Sequence, residues 1–356
     1  MTRFSSFDHA MMGRALSLAE KGLYSATPNP RVGCVITRNE EIVGEGWHDK
    51  PGEPHAEVLA LRAAGERAAD ATVYVNLEPC NHQGRTPPCV EALVRSKVGR
   101  VVAAMRDPNP VAAHGGEALA GAGIAFEHGL LEDEARELNI GFVSRMTRAR
   151  PWVRLKVAAT LDGRTALADG KSQWITGPQA RRDGHRWRAR ACAVLTGIGT
   201  VSADDPRLTV REVETPRQPL RVIVDSRLET PSTARILEGG NVLIFTASAA
   251  KGPRGAEVVQ LPNPNRKVDL PRMLEELARR GINELHVEAG FRLNGSLVRE
   301  GCVDEFLVYL NPSFLGDAAQ GMLDLPAVAA LEERRRLRLL SVTHLGEDLR
   351  IVARPA

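Results

Sequence analysis

Aromatic side chains are scarce in this 356-residue chain: eight phenylalanines, three tyrosines and four tryptophans make up 4% of it. Proteins that grip single-stranded nucleic acid stack bases on aromatic platforms, so the scarcity weighs against that class of function. Cysteine is sparse as well. The five present are an odd number, which disfavours a disulfide framework and makes any cysteine pair a candidate for metal ligation or thiol chemistry. No stretch of 18 uninterrupted apolar residues offers a membrane helix, and the start, Met1-Thr2-Arg3-Phe4-Ser5-Ser6, lacks the apolar core of a secretory signal. A cytoplasmic protein is expected. Charge of one sign is missing too: 47 Lys and Arg face 44 Asp and Glu, and with 43% hydrophobic residues the composition is that of an ordinary globular protein.

At about 150 residues per domain, the length predicts about two domains. Residues 1–148 carry a net charge of −3 and the remainder +6. A helix-like stretch around Glu134–Val143 is followed by Arg148-Ala149-Arg150-Pro151 and then a strand-like run, Val153–Val157, with Pro151 as the breaker. The boundary is therefore placed near Arg148, giving domains 1–148 and 149–356. The alternative is a long loop inside one large domain.

Apolar periodicity predicts a helix from Asp8 to Lys21 and a hairpin of Val32–Ile36 with Ile42–Gly46. A helix over His55–Ala64, a strand over Thr72–Leu77, a helix over Cys89–Lys97 and a strand over Arg100–Met105 follow. In the second part, strands are expected at Val153–Val157, Ala193–Leu195, Leu220–Val224, Val242–Thr246 and Leu285–Glu288. Helices are expected at Gln179–Arg190, Leu270–Arg280 and from about Leu293. Later strand signals at Glu305–Leu310, Leu339–Val342 and Leu349–Val352 suggest an antiparallel C-terminal edge. Both parts read as α/β, because strands alternate with helices.

The most informative residues are His55-Ala56-Glu57 and the segment Pro79-Cys80-Asn81-His82-Gln83-Gly84-Arg85-Thr86-Pro87-Pro88-Cys89. A catalytic zinc takes three protein ligands and leaves one position for water, a requirement that His55, Cys80 and Cys89 meet with one ion per chain. Glu57, two residues after the histidine, is suited to shuttling the proton of a metal-activated water, as in zinc deaminases. Cys89 follows two prolines at a predicted helix start, where the helix dipole favours a thiolate.

Taken singly, each of these residues has a blander explanation, since a lone histidine or two distant cysteines are more often structural. Three rival readings stay open. A closed structural zinc site would recruit His82 or His48 as a fourth ligand, and a non-catalytic zinc-stabilised interaction protein would give Glu57 no role. A nucleic-acid deaminase is a third, prompted by the arginines from 181 to 190 and by Arg334-Arg335-Arg336; the aromatic scarcity counts against it. Eight residues rather than two separate Cys80 from Cys89, which departs from the commonest deaminase spacing.

With that loop, four strings resemble the bifunctional deaminase-reductases of bacterial riboflavin biosynthesis. They are Thr27-Pro28-Asn29-Pro30-Arg31-Val32-Gly33-Cys34, Gly46-Trp47-His48 with Gly52-Glu53-Pro54-His55-Ala56-Glu57, the cysteine segment itself, and Leu161-Asp162-Gly163-Arg164-Thr165-Ala166. Similarity continues through Ser172–Thr176, Ala203–Arg211 and Val287–Gly290, covering nearly the whole chain.

The resemblance implies a cytidine-deaminase-like α/β/α domain followed by a dihydrofolate-reductase-like α/β domain. The first would remove the 2-amino group of 2,5-diamino-6-(5-phosphoribosylamino)pyrimidin-4-one with zinc; the second would reduce the ribosyl group to ribityl with NADPH. The expected partners are this phosphorylated pyrimidine and, in a homo-oligomer if one forms, other copies of the chain. Neither nucleic acid nor a membrane is expected.

In the deaminase part, Asn29 between two prolines is a candidate for the pyrimidine edge, and His48, His82 and Arg85 for the ribose or phosphate. For the reductase part, the resemblance implies an NADPH site of Ala158, Trp174, Thr200, Asp204, Ser226, Gly290, Phe291, Arg292, Leu293, Asn294, Gly295 and Ser296. It likewise implies substrate contacts from Ser172, Arg188, Leu208, Arg211 and Glu288. Arginine suits phosphate because its guanidinium fork matches the oxygens, though Arg188 shares its segment with four other arginines and also reads as part of a solvated basic face. The short Gly197-Ile198-Gly199 gives a Rossmann domain weak support. Phe291 is bulkier than expected in that glycine-rich string. Lys156 and Asp204 are candidate proton donors.

Overall fold

Ser5 caps the first helix, α1 (Ser6–Ala19): its hydroxyl accepts from the Asp8 amide while the Asp8 carboxylate accepts from the Ser5 amide. The computed structural model describes residues 4–84 and 86–356, and the chain parts into two compact units between Arg148 and Ala149.

In the first unit, β1 (Gly33–Arg38) and β2 (Glu41–Trp47) form a hairpin tighter than the sequence suggests. Asn39 and Glu40 both take positive φ, so two residues turn the chain and the strands run to the turn's edge. Then come α2 (Ala56–Ala64), β3 (Thr72–Leu77), α3 (Cys89–Arg95), β4 (Arg100–Met105), α4 (Gly115–Gly121), β5 (Ala125–His128), α5 (Glu132–Leu138) and α6 (Ile140–Arg148). The sheet order is β2-β1-β3-β4-β5, antiparallel at the hairpin and between β1 and β3, and parallel from β3 onward.

Two features of this unit aim residues at its candidate site. Gly44 and Gly46 let α2 lie directly against β2, since a Cβ on either would run into the backbone of Ala60 or Ala56. The helix predicted around Glu134–Val143 breaks at Asn139. That residue is buried with its amide donating to the Arg31 carbonyl at 2.9 Å and its Oδ1 accepting from the Arg31 amide at 2.8 Å. The interruption secures the segment leading out of Asn29.

The second unit is built on a nine-stranded sheet. Its elements are β6 (Trp152–Thr160), β7 (Arg164–Ala166), α7 (Pro178–Arg190), β8 (Ala193–Gly197), α8 (Ile198–Asp204), β9 (Leu220–Val224), β10 (Val242–Thr246), β11 (Glu257–Gln260), α9 (Leu270–Arg279), β12 (Glu284–Val287), α10 (Phe291–Arg299), β13 (Glu305–Asn311), β14 (Gln320–Gly321), β15 (Leu337–Leu345) and β16 (Asp348–Pro355). The order is β11-β10-β9-β8-β12-β6-β13-β16-β15, parallel as far as β13 and antiparallel through β16 and β15; β7 pairs with β14 alone. Leucine, valine and phenylalanine from β6, β8, β9, β10, β12 and β13 pack with α9 and α10 into one apolar core.

Beneath α7 the sheet is charged instead. Arg154 is fully buried between Glu284 and Glu305, with Arg190 on Glu284, Arg354 on Glu305 and the Trp187 ring 4.3 Å from its guanidinium. Buried charges are tolerated only when paired, and here every charge in the ladder has at least one partner.

Candidate active sites

His55 sits at the N-cap of α2 in extended conformation, which places Glu57 in the first helical turn, and Cys89 opens α3 directly after Pro88. The two helix starts converge. His55 Nδ1 lies 3.2 Å from Cys89 Sγ and 3.6 Å from Cys80 Sγ, and the three ligand atoms all lie within 4.8 Å of one another. Around a tetrahedral zinc, sulfur and nitrogen ligands stand about 3.6 Å apart, so two soft thiols and an imidazole with this spacing fit that ion. The opposite ring nitrogen, Nε2, is 3.2 Å from the Thr86 hydroxyl, a partner that orients the imidazole.

Electrostatics separate the two thiols. Hydrogen bonds from the Cys89 thiol, His55 and the Cys89 backbone amide lower the Cys80 pKa and favour its thiolate. Its neighbour Cys89 is pushed up by the hydrogen bond to Cys80, by burial and by Glu57. Glu57 is itself buried, and this desolvation, with the Cys80 charge, raises its pKa above the ordinary carboxylate value. A carboxyl so placed holds a proton more readily than an exposed one, as a proton carrier must.

His48 is buried beside His55 with the rings edge to face at 5.3 Å, and its Nε2 lies 3.0 Å from the Asn29 amide nitrogen. Asn29, His48, His55 and Glu57 therefore gather round one point. His82 is half-buried in the loop between the cysteines, its Nδ1 sealed from solvent and, among the described residues, without a partner. Arg85 lies outside the described residues.

Two groups that sequence reasoning passed over also belong to this neighbourhood. Thr86 is one, signalled only by being a hydroxyl residue between the two cysteines. Asp107, just beyond β4, is the other: burial and the charges of Glu78, Cys80 and Glu57 raise its pKa to about 7. Its string, Asp107-Pro108-Asn109-Pro110, echoes Pro28-Asn29-Pro30 and was the available signal.

In the second unit a cleft of about 1860 Å³ is lined by Lys156, Ala158, Ser172, Trp174, Arg188, Thr200, Asp204, Leu208, Arg211, Ser226 and Glu288, and by Gly290 to Asn294 with Ser296. Gly295 is the exception among the sequence-derived residues. On α10 it faces away from the cleft, against the backbone of Asp324. Phe291 opens α10 half-buried on the cleft wall, so its bulk is accommodated there.

Glu288 is the electrostatic centre of the cleft. Arg188 forks it with Nε and Nη2, Lys156 Nζ stands 3.7 Å away, and His286 Nε2 lies 3.5 Å from it. Burial alone raises the Glu288 pKa, but Arg188 and Lys156 outweigh burial and hold it well below the usual range. Asp204 is raised by burial against hydrogen bonds from Gln173 and Ser172.

Residues 5–105 match the family described as the cytidine and deoxycytidylate deaminase zinc-binding region, and residues 151–351 match the RibD C-terminal domain. The fold and sites thus define a zinc-binding, cytidine-deaminase-like α/β/α domain joined on one chain to a dihydrofolate-reductase-like α/β domain. The riboflavin biosynthesis protein RibD of Escherichia coli (strain K12) is 45% identical over 358 residues, spanning 96% of this chain and 98% of that one. A solved Acinetobacter baumannii RibD superposes with a TM-score of 0.92 at 44% identity, covering 98% of this chain and 99% of its own. A Thermotoga maritima structure, described as a diaminohydroxyphosphoribosylaminopyrimidine deaminase and 5-amino-6-(5-phosphoribosylamino)uracil reductase, gives 0.89 at 33% identity, covering 98% and 99%. The chain belongs to the RibD family of riboflavin biosynthesis proteins. It is a bifunctional enzyme, a zinc-dependent deaminase and an NADPH-dependent reductase.

Proposed function

We propose that the chain converts 2,5-diamino-6-(5-phosphoribosylamino)pyrimidin-4-one into 5-amino-6-(5-phosphoribitylamino)uracil, deaminating it in residues 1–148 and reducing it in residues 149–356. The observation that carries the reading is the convergence of His55, Cys80 and Cys89 with the buried carboxyl of Glu57 beside them.

In the first site His55, Cys80 and Cys89 hold the zinc, which when bound acidifies a water toward neutral pH. Glu57 takes up the water's proton on its carboxylate and passes it to the departing ammonia, a task suited to a carboxyl whose pKa is raised by burial. Asn29 and His48 orient the pyrimidine, while His82 and Arg85 are assigned to the ribose phosphate.

In the second site the N-terminus of α10, the small residues Gly197 to Thr200, and Ala158, Trp174, Asp204, Ser226 and Gly290–Asn294 with Ser296 hold NADPH. The buried Asn294 Oδ1 on that wall, without a partner among the described residues, supports the assignment, because an unsatisfied buried polar atom is costly. NADPH, when bound, supplies the two electrons. Lys156 gives the accompanying proton, Glu288 holds Lys156 in place and aligns the ribose, and Ser172, Leu208 and Arg211 seat the rest of the substrate. Arg188 grips Glu288, and Arg211 on the exposed rim meets the phosphate.

A homo-oligomer belongs to the same reading. The outermost strand, β15, leaves Leu337, Leu339, Leu340 and Val342 exposed on an unpaired sheet edge, a surface suited to another copy of the chain. The cytoplasm is the compartment proposed, since Cys80 and Cys89 must stay reduced to bind metal. Among the described residues no helix is long and apolar enough to cross a membrane.

The direct test incubates the purified protein with the diaminopyrimidinone phosphate, with and without NADPH, and follows the products by mass. Without NADPH the deaminated compound should accumulate; with it, the ribityl product should appear. Absence of both products refutes the reading.

A further inference from the structure

The strap Leu208–Arg211 runs along the cleft and must present Arg211 at its rim, yet it belongs to no helix or strand. Three features hold it. Leu208 is buried at positive φ, and the Val210 backbone is bracketed by the Gln218 amide, which accepts from the Val210 N–H at 2.8 Å and donates to its carbonyl at 3.1 Å. The last hold comes from α7: Arg188 Nη1 donates to the Thr209 carbonyl at 3.1 Å, and His185 Nδ1 accepts the Arg211 backbone N–H at 3.2 Å. His185 and Arg188 are three positions apart and so share a helix face, and they fix successive parts of one strap.

His185 is buried, and nothing in the deaminase or reductase chemistry uses it. Burial, with Arg188 and Arg211 close by, lowers its pKa to about 4. The ring is therefore neutral at neutral pH, and Nδ1 keeps the lone pair that an acceptor needs. Arg211 gains further order because its guanidinium turns back onto the Thr209 hydroxyl at 3.1 Å. Removing the His185 acceptor would leave the Arg211 amide unpaired and free the strap beside it.

We propose that His185 is a positioning residue for recognition of the substrate's phosphomonoester: by accepting the Arg211 amide it fixes where that guanidinium stands. The inference rests on the reading above that Arg211 meets the phosphate. It gives His185 a role in affinity for the phosphorylated compound and none in the transfer of electrons or protons.

The test uses full-length protein and two reductase substrates, the deaminated ribosylamino phosphate and its dephosphorylated counterpart. Three variants are compared: His185→Leu, which deletes the acceptor at similar bulk, His185→Asn, whose Oδ1 can replace Nδ1, and Arg211→Ala. Expected for His185→Leu is a KM about tenfold higher for the phosphorylated compound, equivalent to about 1.4 kcal/mol, with kcat within about twofold. Both constants for the dephosphorylated compound should stay unchanged, and His185→Asn should recover KM to within about threefold. An unchanged KM in His185→Leu, or a rise that is equal for both substrates, overturns the positioning role. If Arg211→Ala leaves the preference for the phosphorylated compound intact, the underlying assignment of Arg211 fails instead. Loss of that preference in Arg211→Ala beside a native-like His185→Leu isolates the failure to His185.

Discussion

Arg188 on α7 and Glu288 just past β12, a hundred residues apart in sequence, form a half-buried two-pronged ion pair that commits the guanidinium before any substrate arrives. Sequence alone suggests Arg188 as a phosphate partner or as part of a solvated basic face. The geometry gives it a different weight: its Nε and Nη2 serve Glu288 and its Nη1 serves the Thr209 carbonyl. Arg188 is thus tied to Glu288 and to the Thr209 carbonyl, and Arg211 is the more exposed of the two, as the phosphate contact proposed for it requires.

The first prediction concerns this pair. Glu288→Gln removes the negative charge between Arg188 and Lys156, so Lys156 loses the ion-pair partner that holds it in place. Oxidation of NADPH with the deaminated substrate should fall about 100-fold in kcat, the scale of a lost proton-transfer arrangement. Ammonia release by the same protein should be unchanged.

Metal content checks the ligand assignment. Cys80→Ser and Cys89→Ser each replace a thiolate by a hydroxyl that binds zinc poorly, and each variant should lose most of the one zinc expected per chain. Elemental analysis after exhaustive dialysis gives the answer. Near-stoichiometric zinc in both variants would contradict the assignment.

Acid should probe a second buried centre, where the Asp8 carboxylate accepts from Tyr74 at 2.8 Å and from Arg100 at 2.7 Å. Burial pulls the Asp8 pKa up, but Arg100, the Ser5 amide and Tyr74 outweigh it and hold the pKa well below the ordinary 3.8. A depressed folded-state pKa contributes stability that is full above the unfolded value and lost as pH falls through the folded one. Asp8→Asn should therefore cost about 2 kcal/mol at pH 7. The gap in Tm between native and variant proteins should narrow only below pH 4. Thermal melts between pH 7 and pH 3 measure it, and a gap that stays constant over that range would contradict the account.

Much of the fold is legible in the sequence because its strands and helices carry their own periods. Thr72–Leu77, Leu220–Val224 and Val242–Thr246 are found where the apolar runs predict them. What escapes is decided by distant partners. Asn139 breaks a helix because it pairs with the backbone of Arg31, and Gly295 leaves the cleft because α10 turns it toward Asp324. Short elements such as α4, β5 and β11 are too brief to show a period. At the candidate sites, His55, Glu57, Cys80 and Cys89 are readable because their chemistry is specific to their spacing. His185 and Thr86 are not, because their significance lies in which single atom each one faces.

The most direct test of the two-site account is Glu57→Gln in the full-length protein, given the undeaminated and the deaminated substrate in parallel with NADPH. The variant should keep its zinc, release no ammonia from the first compound and reduce the second at the native rate. Loss of reduction with zinc and fold intact, or retained deamination, would contradict the account.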